Sequence, residues 1–195
     1  MRISKKAKSK LLLALTLCIL LLNYSTNKLG QNKNNLQVQQ TNNVISAGFY
    51  KVVKFEDGDT ITVDMAGNKE TIRMIGVDTP EVKDPRKPVQ CFGKNASNFT
   101  KMLIGDNPVK PEADPINTNR DRYNRLLRYV YLPSGELVNA EIIKQGYGFA
   151  YTSFPFTKVD EFKNYQDQAR NQNKGLWSSC QPVTNQYGGM TSNPE

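Results

Sequence analysis

Apolar and polar residues alternate in the first half of the chain with the spacing of strands that bury one face. Between Thr60 and Met65, the side chains of Ile61 and Val63 alternate with polar ones, as a half-buried strand requires. Asp57-Gly58 and Ala66-Gly67-Asn68 flank this run and are typical of hairpin turns. The predicted strands are Phe49–Phe55, Thr60–Met65 and Thr71–Val77.

In the second half, apolar residues recur at intervals of three and four, which is the spacing of helices with one buried face. A glycine follows each of these runs, and glycine commonly terminates helices. The predicted elements are a helix that contains Ala96–Leu103 and ends at Gly105, a strand Arg125–Leu132, a helix Leu137–Gln145 and a helix Val159–Asn173.

The segment Asn107–Asn119 contains three prolines, which exclude a central strand but permit an edge strand or a bulge. The element order is three strands, a helix, one or two strands, and two helices. This order predicts an α+β fold with a small antiparallel sheet. It is also compatible with a five-stranded barrel.

The N-terminus has the pattern of an export signal. Five basic residues precede the apolar run Leu11–Leu22, whose 12 residues are too few for a membrane-spanning helix. No clear cleavage motif follows, so residues 1–22 are interpreted as a signal peptide or a short anchor. We therefore expect a secreted or extracytoplasmic protein, attached to a membrane only if this segment is uncleaved. The remaining predicted regions are an Asn/Gln-rich flexible linker, 23–45, a folded domain, 46–180, and a flexible C-terminal tail, 181–195.

Charge and composition limit the kinds of catalysis and binding that the chain can carry out. The net charge is +8, but residues 31–195 hold 20 basic and 18 acidic side chains, so an anion site depends on local placement of charge. There is no histidine, which excludes imidazole bases and His-liganded zinc. With Cys18 inside the signal, Cys91 and Cys180 form an even pair in an oxidising compartment. We expect a disulfide between them, and two free thiols are the alternative.

Three polar clusters carry candidate chemistry, although each one alone has a simpler explanation. Asp57-Gly58-Asp59-Thr60 is typical of a hairpin turn, and Asp78-Thr79-Pro80-Glu81 of a turn that ends the strand containing Arg73. Asp121-Arg122-Tyr123-Asn124-Arg125 fits a solvated loop. Taken together, the clusters place acids and arginines near the ends of neighbouring strands.

Asp59 begins one predicted strand and Asp78 closes the third, so both carboxylates can lie at one end of the sheet. With the Thr79 carbonyl they offer only hard oxygen ligands, which suit Ca²⁺ before Mg²⁺. Arg73 lies five residues before Asp78, on the opposite face of a regular strand, so a bulge near Gly76 is needed to bring the two together. A cation, arginines and a carboxylate are what phosphoryl transfer requires.

Over about residues 50–178 the chain resembles the staphylococcal (micrococcal) nuclease family, which includes secreted thermonucleases. The motifs that carry the resemblance occur in order and with similar spacing. They are Asp57-Gly58-Asp59-Thr60, Ile72-Arg73, Val77-Asp78-Thr79-Pro80-Glu81, Phe92-Gly93, Ala96-Ser97-Asn98-Phe99-Thr100, Asp121-Arg122-Tyr123-Asn124-Arg125, Val138-Asn139, Gln145-Gly146 and Leu176-Trp177-Ser178. Asn124 stands where the family usually has glycine, and asparagine tolerates positive φ better than most residues.

The resemblance implies a five-stranded OB-fold barrel with three α-helices, and it implies roles for three sets of residues. The family's Ca²⁺ ligands are matched by Asp59, Asp78 and Thr79. Its catalytic arginines and glutamate are matched by Arg73, Arg125 and Glu81. Its contacts near the terminal phosphate of a bound nucleotide are matched by Lys87, Arg122 and Tyr123.

The activity implied by the resemblance is a calcium-dependent endonuclease. It would hydrolyse DNA and RNA, single-stranded or frayed, and leave 3′-phosphate products; we expect it to act as a monomer. The alternative is a non-catalytic nucleic-acid-binding OB-fold module, which needs only a basic groove and stacking aromatics. Carboxylates that face phosphate favour the enzyme, because a pure binding module gains nothing from them. A calcium-stabilised surface domain would leave the paired arginines unexplained.

Overall fold

The computed structural model describes residues 47–82, 88–186 and 189–194. All of them belong to the compact unit Ser46–Glu195. The predicted N-terminal segment 1–22, the linker 23–45 and Lys87 lie outside the described residues. Within the described residues, no helix combines the length and the apolar character needed to cross a membrane.

The described residues form an α+β fold. The strands are β1 (Lys51–Phe55), β2 (Thr60–Met65), β3 (Asn68–Met74), β4 (Val77–Asp78), β5 (Lys110–Glu112), β6 (Leu126–Tyr131), β7 (Phe149–Ala150), β8 (Val183–Thr184) and β9 (Met190–Thr191). The helices are α1 (Gly93–Ile104), α2 (Val138–Lys144), α3 (Val159–Asn171) and α4 (Leu176–Ser179). The prediction of three helices omits α4, whose four residues are too few to show a helical period.

Five strands form the main sheet in the order β1-β2-β3-β6-β5. Neighbours run antiparallel except β3 and β6, which are parallel, with Ile72 beside Leu126. The prediction of an antiparallel sheet is therefore wrong at this pair. The connection from β3 to β6 is long and contains α1, and a long crossover of this kind allows two strands to run in the same direction.

The two edges of this sheet, β1 and β5, meet at one point. Tyr50 and Val109 exchange backbone hydrogen bonds of 2.8 Å in each direction, but the pairing stays an isolated bridge, so the sheet is not a closed barrel. N–H groups of consecutive residues in a strand face opposite neighbours, so those of every second residue face the same one. The next N–H that would face β1 belongs to position 111, and Pro111 has none. The prolines thus explain both the edge position of β5 and its interrupted pairing.

Apolar side chains of the sheet and the helices meet in one core. As the alternation predicts, Ile61 and Val63 of β2 are completely buried. Asn139 of α2 is also buried; its Oδ1 accepts a hydrogen bond from the Val130 amide at 2.9 Å, and its Nδ2 donates to the Ile75 carbonyl at 2.9 Å. A buried amide needs such partners, and these two fix α2 to the chain just after β3.

A tight turn at Gly76 connects β3 to β4. Gly76 has a φ of +71°, and a Cβ at this position would lie within 2.8 Å of the rings of Phe156 and Phe162. Conformation and space therefore both require glycine. The turn interrupts the strand where the sequence predicts a bulge, and β4, which follows, pairs with β7.

Residues 181–194 contain regular structure where the sequence predicts a flexible tail. β8 and β9 form a hairpin, and the expected disulfide between Cys91 and Cys180 is present at its base. Ser192 is buried, and its hydroxyl donates to the Cys91 carbonyl at 2.9 Å. Two-residue strands leave no periodic pattern, and the residues that hold them in place are distant in sequence. The composition of this segment therefore predicts only a flexible tail.

Asp114 makes the stability of this fold sensitive to acid. Its side chain is buried and accepts hydrogen bonds from the Tyr129 hydroxyl at 2.7 Å and from the Thr157 amide and hydroxyl at 2.7 and 2.6 Å. Burial opposes ionisation, but the hydrogen bonds outweigh burial and lower the pKa of Asp114 to about 2. The carboxylate therefore stabilises the folded state above its ordinary pKa of about 3.9, and this contribution is lost as the pH falls toward 2.

We expect Asp114→Asn to lower the free energy of unfolding at neutral pH by about 2 kcal/mol. The variant should also show a shallower loss of stability between about pH 4 and pH 2 than the parent. Urea unfolding at a series of pH values, followed by the fluorescence of Trp177, measures both effects. Asp106→Asn, at an exposed position, is the matched control. Parallel pH profiles for Asp114→Asn and the parent would contradict the assignment.

Candidate active site

Two carboxylates and one guanidinium meet where β2, β3 and β4 come together. Nη2 of Arg73 lies 3.1 Å from Asp59 Oδ2 and 3.1 Å from Asp78 Oδ1. The pairing of Thr60 with Arg73 places Asp59 beside this guanidinium, and the turn at Gly76 brings Asp78 back to it. The structure therefore joins the acids and the arginine that the strand pattern brings to one end of the sheet.

Backbone carbonyls also hold Arg73 in place. Its Nη1 donates to the carbonyls of Met74 at 3.0 Å and Val77 at 2.6 Å. Burial by itself would lower the pKa of Arg73, but the neighbouring charges of Asp59 and Asp78 outweigh burial and raise it. The guanidinium therefore stays charged and is fixed in one orientation.

Thr79 is packed against Asp59. The Thr79 amide and hydroxyl donate to Asp59 Oδ2 at 3.0 and 3.2 Å, and the Thr60 hydroxyl donates to Asp59 Oδ1 at 2.9 Å. This approach requires a glycine at position 58, because a Cβ on Gly58 would lie 2.8 Å from the Thr79 side chain. The hydroxyl of Thr100 in α1 donates to the Gly58 carbonyl at 2.6 Å, so α1 supports the turn that carries Asp59.

The donor set of this cluster fits a hard cation. Asp59 and Asp78 supply carboxylate oxygens and Thr79 a backbone carbonyl, which are ligands that Ca²⁺ prefers. Both carboxylates approach the same nitrogen of Arg73, so the guanidinium holds the position that a cation between the two acids would take. Across the residues that the structure describes, no group of three or more acidic, His or Cys side chains forms a metal cluster. A cation held by this set would thus use few protein ligands.

Asp57 is a site residue to which the sequence gave no separate role. Its Oδ1 accepts a hydrogen bond from the Asp59 amide at 3.1 Å. Burial and the charge of Asp59 raise the pKa of Asp57 to about 7. The Asp-Gly-Asp motif was the available signal, but a hairpin turn explains an Asp-Gly pair equally well.

Glu81 lies beside the carboxylates in an open cleft of about 420 Å³ that Asp78 and Thr79 also line. Its Oε1 accepts a hydrogen bond from the Val82 amide at 2.9 Å, and its own amide donates to Gln90 Oε1 at 2.7 Å. The other described residues that line the cleft are Gln90, Asn185, Gln186 and Thr191. The candidate catalytic glutamate and two candidate metal ligands therefore surround one space.

Arg125 lies just before β6, in a loop organised by Asp121. The Asp121 carboxylate accepts hydrogen bonds from the amides of Tyr123 and Arg125 at 2.9 Å each, and from Arg125 Nε at 2.7 Å. Burial opposes ionisation of Asp121, but these hydrogen bonds and the charge of Arg125 lower its pKa. Asn124 has a φ of +64°, so asparagine supplies the left-handed conformation that the turn requires.

Two guanidinium groups lie close to the ring of Tyr123. Arg122 lies 4.8 Å and Arg125 5.4 Å from the ring centre, within the range of cation–π attraction. Arg122 also donates to the Tyr123 hydroxyl at 2.8 Å, and Tyr123 is 60% exposed. The loop therefore presents two positive charges and an aromatic ring to solvent.

The strand register relates this loop to the carboxylate cluster. Arg73 lies beside Leu127 of β6, and Arg125 directly precedes β6, so the loop adjoins the strand that pairs with the strand of Arg73. Arg120 donates from both terminal nitrogens to Glu70 of β3 at 2.8 and 3.0 Å. This ion pair fastens the loop to the strand that carries Arg73.

The structure does not join all the predicted site residues. The contacts of Arg125 within the described residues are with Asp121 and Tyr123, and none of them is with Asp59, Arg73 or Asp78. Lys87 lies outside the described residues, and its predicted role stays a prediction. Asp121 and Gln90 hold functional groups in place here. Asp121 belongs to the third polar cluster, which gave it no separate role, and Gln90 had no signal in the sequence.

Known proteins with similar sequences were compared with the chain. The profile described as "Staphylococcal nuclease homologue" matches residues 71–179. The chain is 43% identical over 131 residues to "Thermonuclease" of Staphylococcus hyicus, a match that covers 67% of this chain and 76% of that protein. It is 40% identical over 131 residues to "Endonuclease YncB" of Bacillus subtilis (strain 168), covering 66% of this chain and 61% of that protein.

A second protein of the same Bacillus strain, "SPbeta prophage-derived endonuclease YokF", is 39% identical over 130 residues, which cover 66% of this chain and 43% of that protein. The chain thus spans less than two thirds of the length of either Bacillus relative. The family profile, however, covers more than half of the chain, and the Staphylococcus hyicus protein is matched over most of its length. The chain therefore belongs to the staphylococcal nuclease family of phosphodiester hydrolases.

Proposed function

We propose that this protein is an exported, calcium-dependent endonuclease that hydrolyses DNA and RNA and leaves 3′-phosphate products. The observation that carries the proposal is the meeting of Asp59, Arg73 and Asp78, with Glu81 in the adjoining cleft. Relatives named thermonuclease and endonuclease support this activity. Family membership also supports interpreting the five-stranded sheet as the family's OB barrel.

Asp59, Asp78 and the Thr79 carbonyl are the groups that would hold Ca²⁺. When bound, the cation supplies positive charge that offsets the charge of the substrate phosphate. Arg73 keeps the two carboxylates together through its 3.1 Å contacts with each, because two adjacent acids repel each other without a positive charge between them. The chain thus holds its candidate ligands in place by itself.

The two arginines would act on the phosphate group. A planar guanidinium can donate to two phosphate oxygens at once, and Arg73 and Arg125 are proposed to stabilise in this way the negative charge that grows as water attacks phosphorus in line. The terminal nitrogens of Arg73 contact Asp59, Asp78 and two backbone carbonyls in this structure, so its contact with phosphate would replace some of these contacts.

Glu81 takes a proton from the attacking water or orients it. The P–O5′ bond breaks as the new P–O bond forms, and the 5′ oxygen leaves and takes up a proton from solvent, which gives the 3′-phosphate product. Arg122 and Tyr123 are proposed to contact the terminal phosphate of the bound nucleotide.

Single-stranded or frayed nucleic acid is the proposed substrate. Charge beyond residue 30 is nearly balanced, so binding relies on local contacts and not on a broad basic surface. The exposed ring of Tyr123 offers a stacking face, which an unpaired base reaches more readily than a paired one. Stacking and phosphate contacts do not distinguish the two sugars, which agrees with cleavage of both DNA and RNA.

Export and a monomeric state complete the proposal. The basic and apolar N-terminus supports secretion, and the Cys91–Cys180 disulfide is compatible with an oxidising compartment. If the N-terminal segment is retained, it would anchor the same domain to a membrane.

The alternative is a nucleic-acid-binding module that does not catalyse. Incubation of plasmid DNA and of RNA with the purified protein, in Ca²⁺ and in chelator, separates the two functions. The enzyme should degrade both nucleic acids in Ca²⁺ and leave 3′-phosphate ends. A binding module would shift the mobility of the nucleic acids and leave them intact.

Metal dependence tests the site formed by Asp59 and Asp78. Cleavage should occur with Ca²⁺ and fall sharply when Mg²⁺ replaces it, because Mg²⁺ demands near-ideal octahedral geometry and gives up water reluctantly. Asp59→Asn should weaken Ca²⁺ binding in isothermal titration calorimetry, whereas the exposed Asp106→Asn should not. Equal cleavage rates in Ca²⁺ and in chelator would refute the metal assignment.

Replacement of the arginines by lysine tests whether the reaction needs the planar guanidinium group or only its positive charge. Arg73→Lys and Arg125→Lys keep the positive charge but offer a single ammonium, so each should lower kcat by up to about 10³-fold. Arg170→Lys, on the exposed side of α3, is the matched control. Circular dichroism melting shows whether the variants are folded. Folded Arg73→Lys and Arg125→Lys variants with near-parental kcat would show that only charge matters.

Substitution of Glu81 tests its proposed action on water. Glu81→Gln cannot accept a proton, and Glu81→Asp withdraws the carboxylate by one methylene, so each should lower kcat by at least about 10²-fold. Binding of Ca²⁺ and of a nucleotide inhibitor should stay near the parental affinity. Glu136→Gln, in an exposed turn, controls for the loss of one negative charge. A Glu81→Gln variant that cleaves DNA at almost the parental rate would remove Glu81 from the mechanism.

A further inference from the structure

The cleft beside Glu81 has a wall that comes from the C-terminal hairpin. The family profile matches residues 71–179, so β8 and β9 lie beyond the matched region. Asn185, Gln186 and Thr191 of this hairpin nevertheless line the same cleft as Asp78 and Glu81. One side of the cleft is thus formed by Asp78 and Glu81, which lie within the region that the family profile matches. The other side is formed by the C-terminal hairpin, which lies beyond that region.

The hairpin is fixed to the chain that precedes α1. The disulfide joins Cys91 to Cys180 at the base of the hairpin. Beyond the hairpin, the Asn193 carbonyl accepts a hydrogen bond from the Cys91 amide at 2.7 Å, and the buried Ser192 donates to the Cys91 carbonyl at 2.9 Å. Both ends of the segment are therefore attached at one residue, and a wall held in this way is suited to contact a ligand.

Gln90 connects the hairpin to Glu81. Its Oε1 accepts a hydrogen bond from the Glu81 amide at 2.7 Å, while its Nε2 donates to the Thr191 hydroxyl at 3.0 Å and the Ser192 carbonyl at 3.3 Å. The orientation of the amide follows from its partners, because a rotated group would set a donor against an N–H and an acceptor against a carbonyl. The side chain of Gln90 thus fixes the position of the hairpin relative to the backbone of Glu81.

The chemistry of the wall indicates its ligand. The hairpin contributes the amides of Asn185 and Gln186 and the hydroxyl of Thr191 to the cleft, and none of its described lining residues is basic. A phosphate site would call for positive charge or a concentration of N–H donors. Asn185 Oδ1 already accepts a hydrogen bond from the Gly189 amide at 3.1 Å, and the Thr191 hydroxyl accepts one from Gln90 at 3.0 Å. The exposed amide of Gln186 is therefore the wall group best placed to meet a ligand, and an amide offers a donor and an acceptor that match base edges and sugar hydroxyls.

We propose that this cleft is a subsite for a nucleoside, the base and sugar adjacent to the scissile phosphate, and that Gln186 is one of its hydrogen-bonding groups. This inference rests on the proposed nuclease function, since it takes the phosphate to lie at Asp78, Arg73 and Glu81. The subsite makes cleavage depend on a nucleoside on one particular side of that phosphate.

Gln186→Ala tests the subsite, because the position is exposed and the change removes an amide without altering charge. Gln181→Ala is the matched control, being the same substitution at an exposed position of the same segment that does not line the cleft. Three substrates are compared with the full protein in Ca²⁺. They are an oligothymidylate of eight nucleotides and the two p-nitrophenyl diesters of thymidine, substituted through the 3′ or the 5′ oxygen. Each diester has a nucleoside on only one side of its phosphate.

Gln186→Ala should lower kcat/KM for the oligonucleotide by about three- to tenfold, the effect of one uncharged hydrogen bond. A similar loss is expected for the diester whose thymidine fills the cleft, and less than a twofold change for the other diester. Gln181→Ala should leave all three values unchanged. An equal loss for all three substrates, or no loss for any, would overturn the subsite while the nuclease function stands. If the parent cleaves neither these substrates nor plasmid DNA, the proposed function itself fails.

Discussion

The charge of Arg73 is the interaction on which the arrangement of the site depends. Two carboxylates that converge on one point repel each other, and partial burial weakens the screening of that repulsion. A guanidinium 3.1 Å from Asp59 and from Asp78 compensates the two negative charges. Its other terminal nitrogen binds carbonyls on both sides of the turn at Gly76. One side chain therefore sets the separation of the acids and the path of the chain from β3 to β4.

Much of the fold follows from local pattern. The alternation around Ile61 and Val63 predicts β2 with its bounds, and the prolines of the 107–119 segment exclude a central strand, which agrees with the edge position of β5. The direction in which β6 runs relative to β3 does not follow from local pattern. It depends on the path of the long connection between the two strands, and neither strand's sequence contains information about that path. The shortest strands, such as β4 and β8, have two residues each, which is less than one period of any pattern.

Some residues of the candidate site can likewise be predicted from local sequence pattern, and others cannot. Asp59 and Asp78 lie at one end of the sheet as strand order predicts, whereas Arg73 meets Asp78 only because the turn at Gly76 interrupts the strand. Asp57 belongs to a recognised motif, but a hairpin turn explains an aspartate at that position without any role in the site. Gln90 could not be predicted at all, since its importance comes from contacts with Glu81 and with Thr191, about a hundred residues further along the chain.

The parallel pairing of β3 with β6 makes the site late to form. Ile72 and Leu126 are neighbours in this pair, yet more than fifty residues separate them in sequence, so the pair closes a long loop before it gains any contact. A chain that emerges N-terminus first from the ribosome presents Asp59 and Asp78 well before Arg125. A partly emerged chain therefore carries the acids without the second arginine, and it remains incomplete at this site until β6 has emerged and paired.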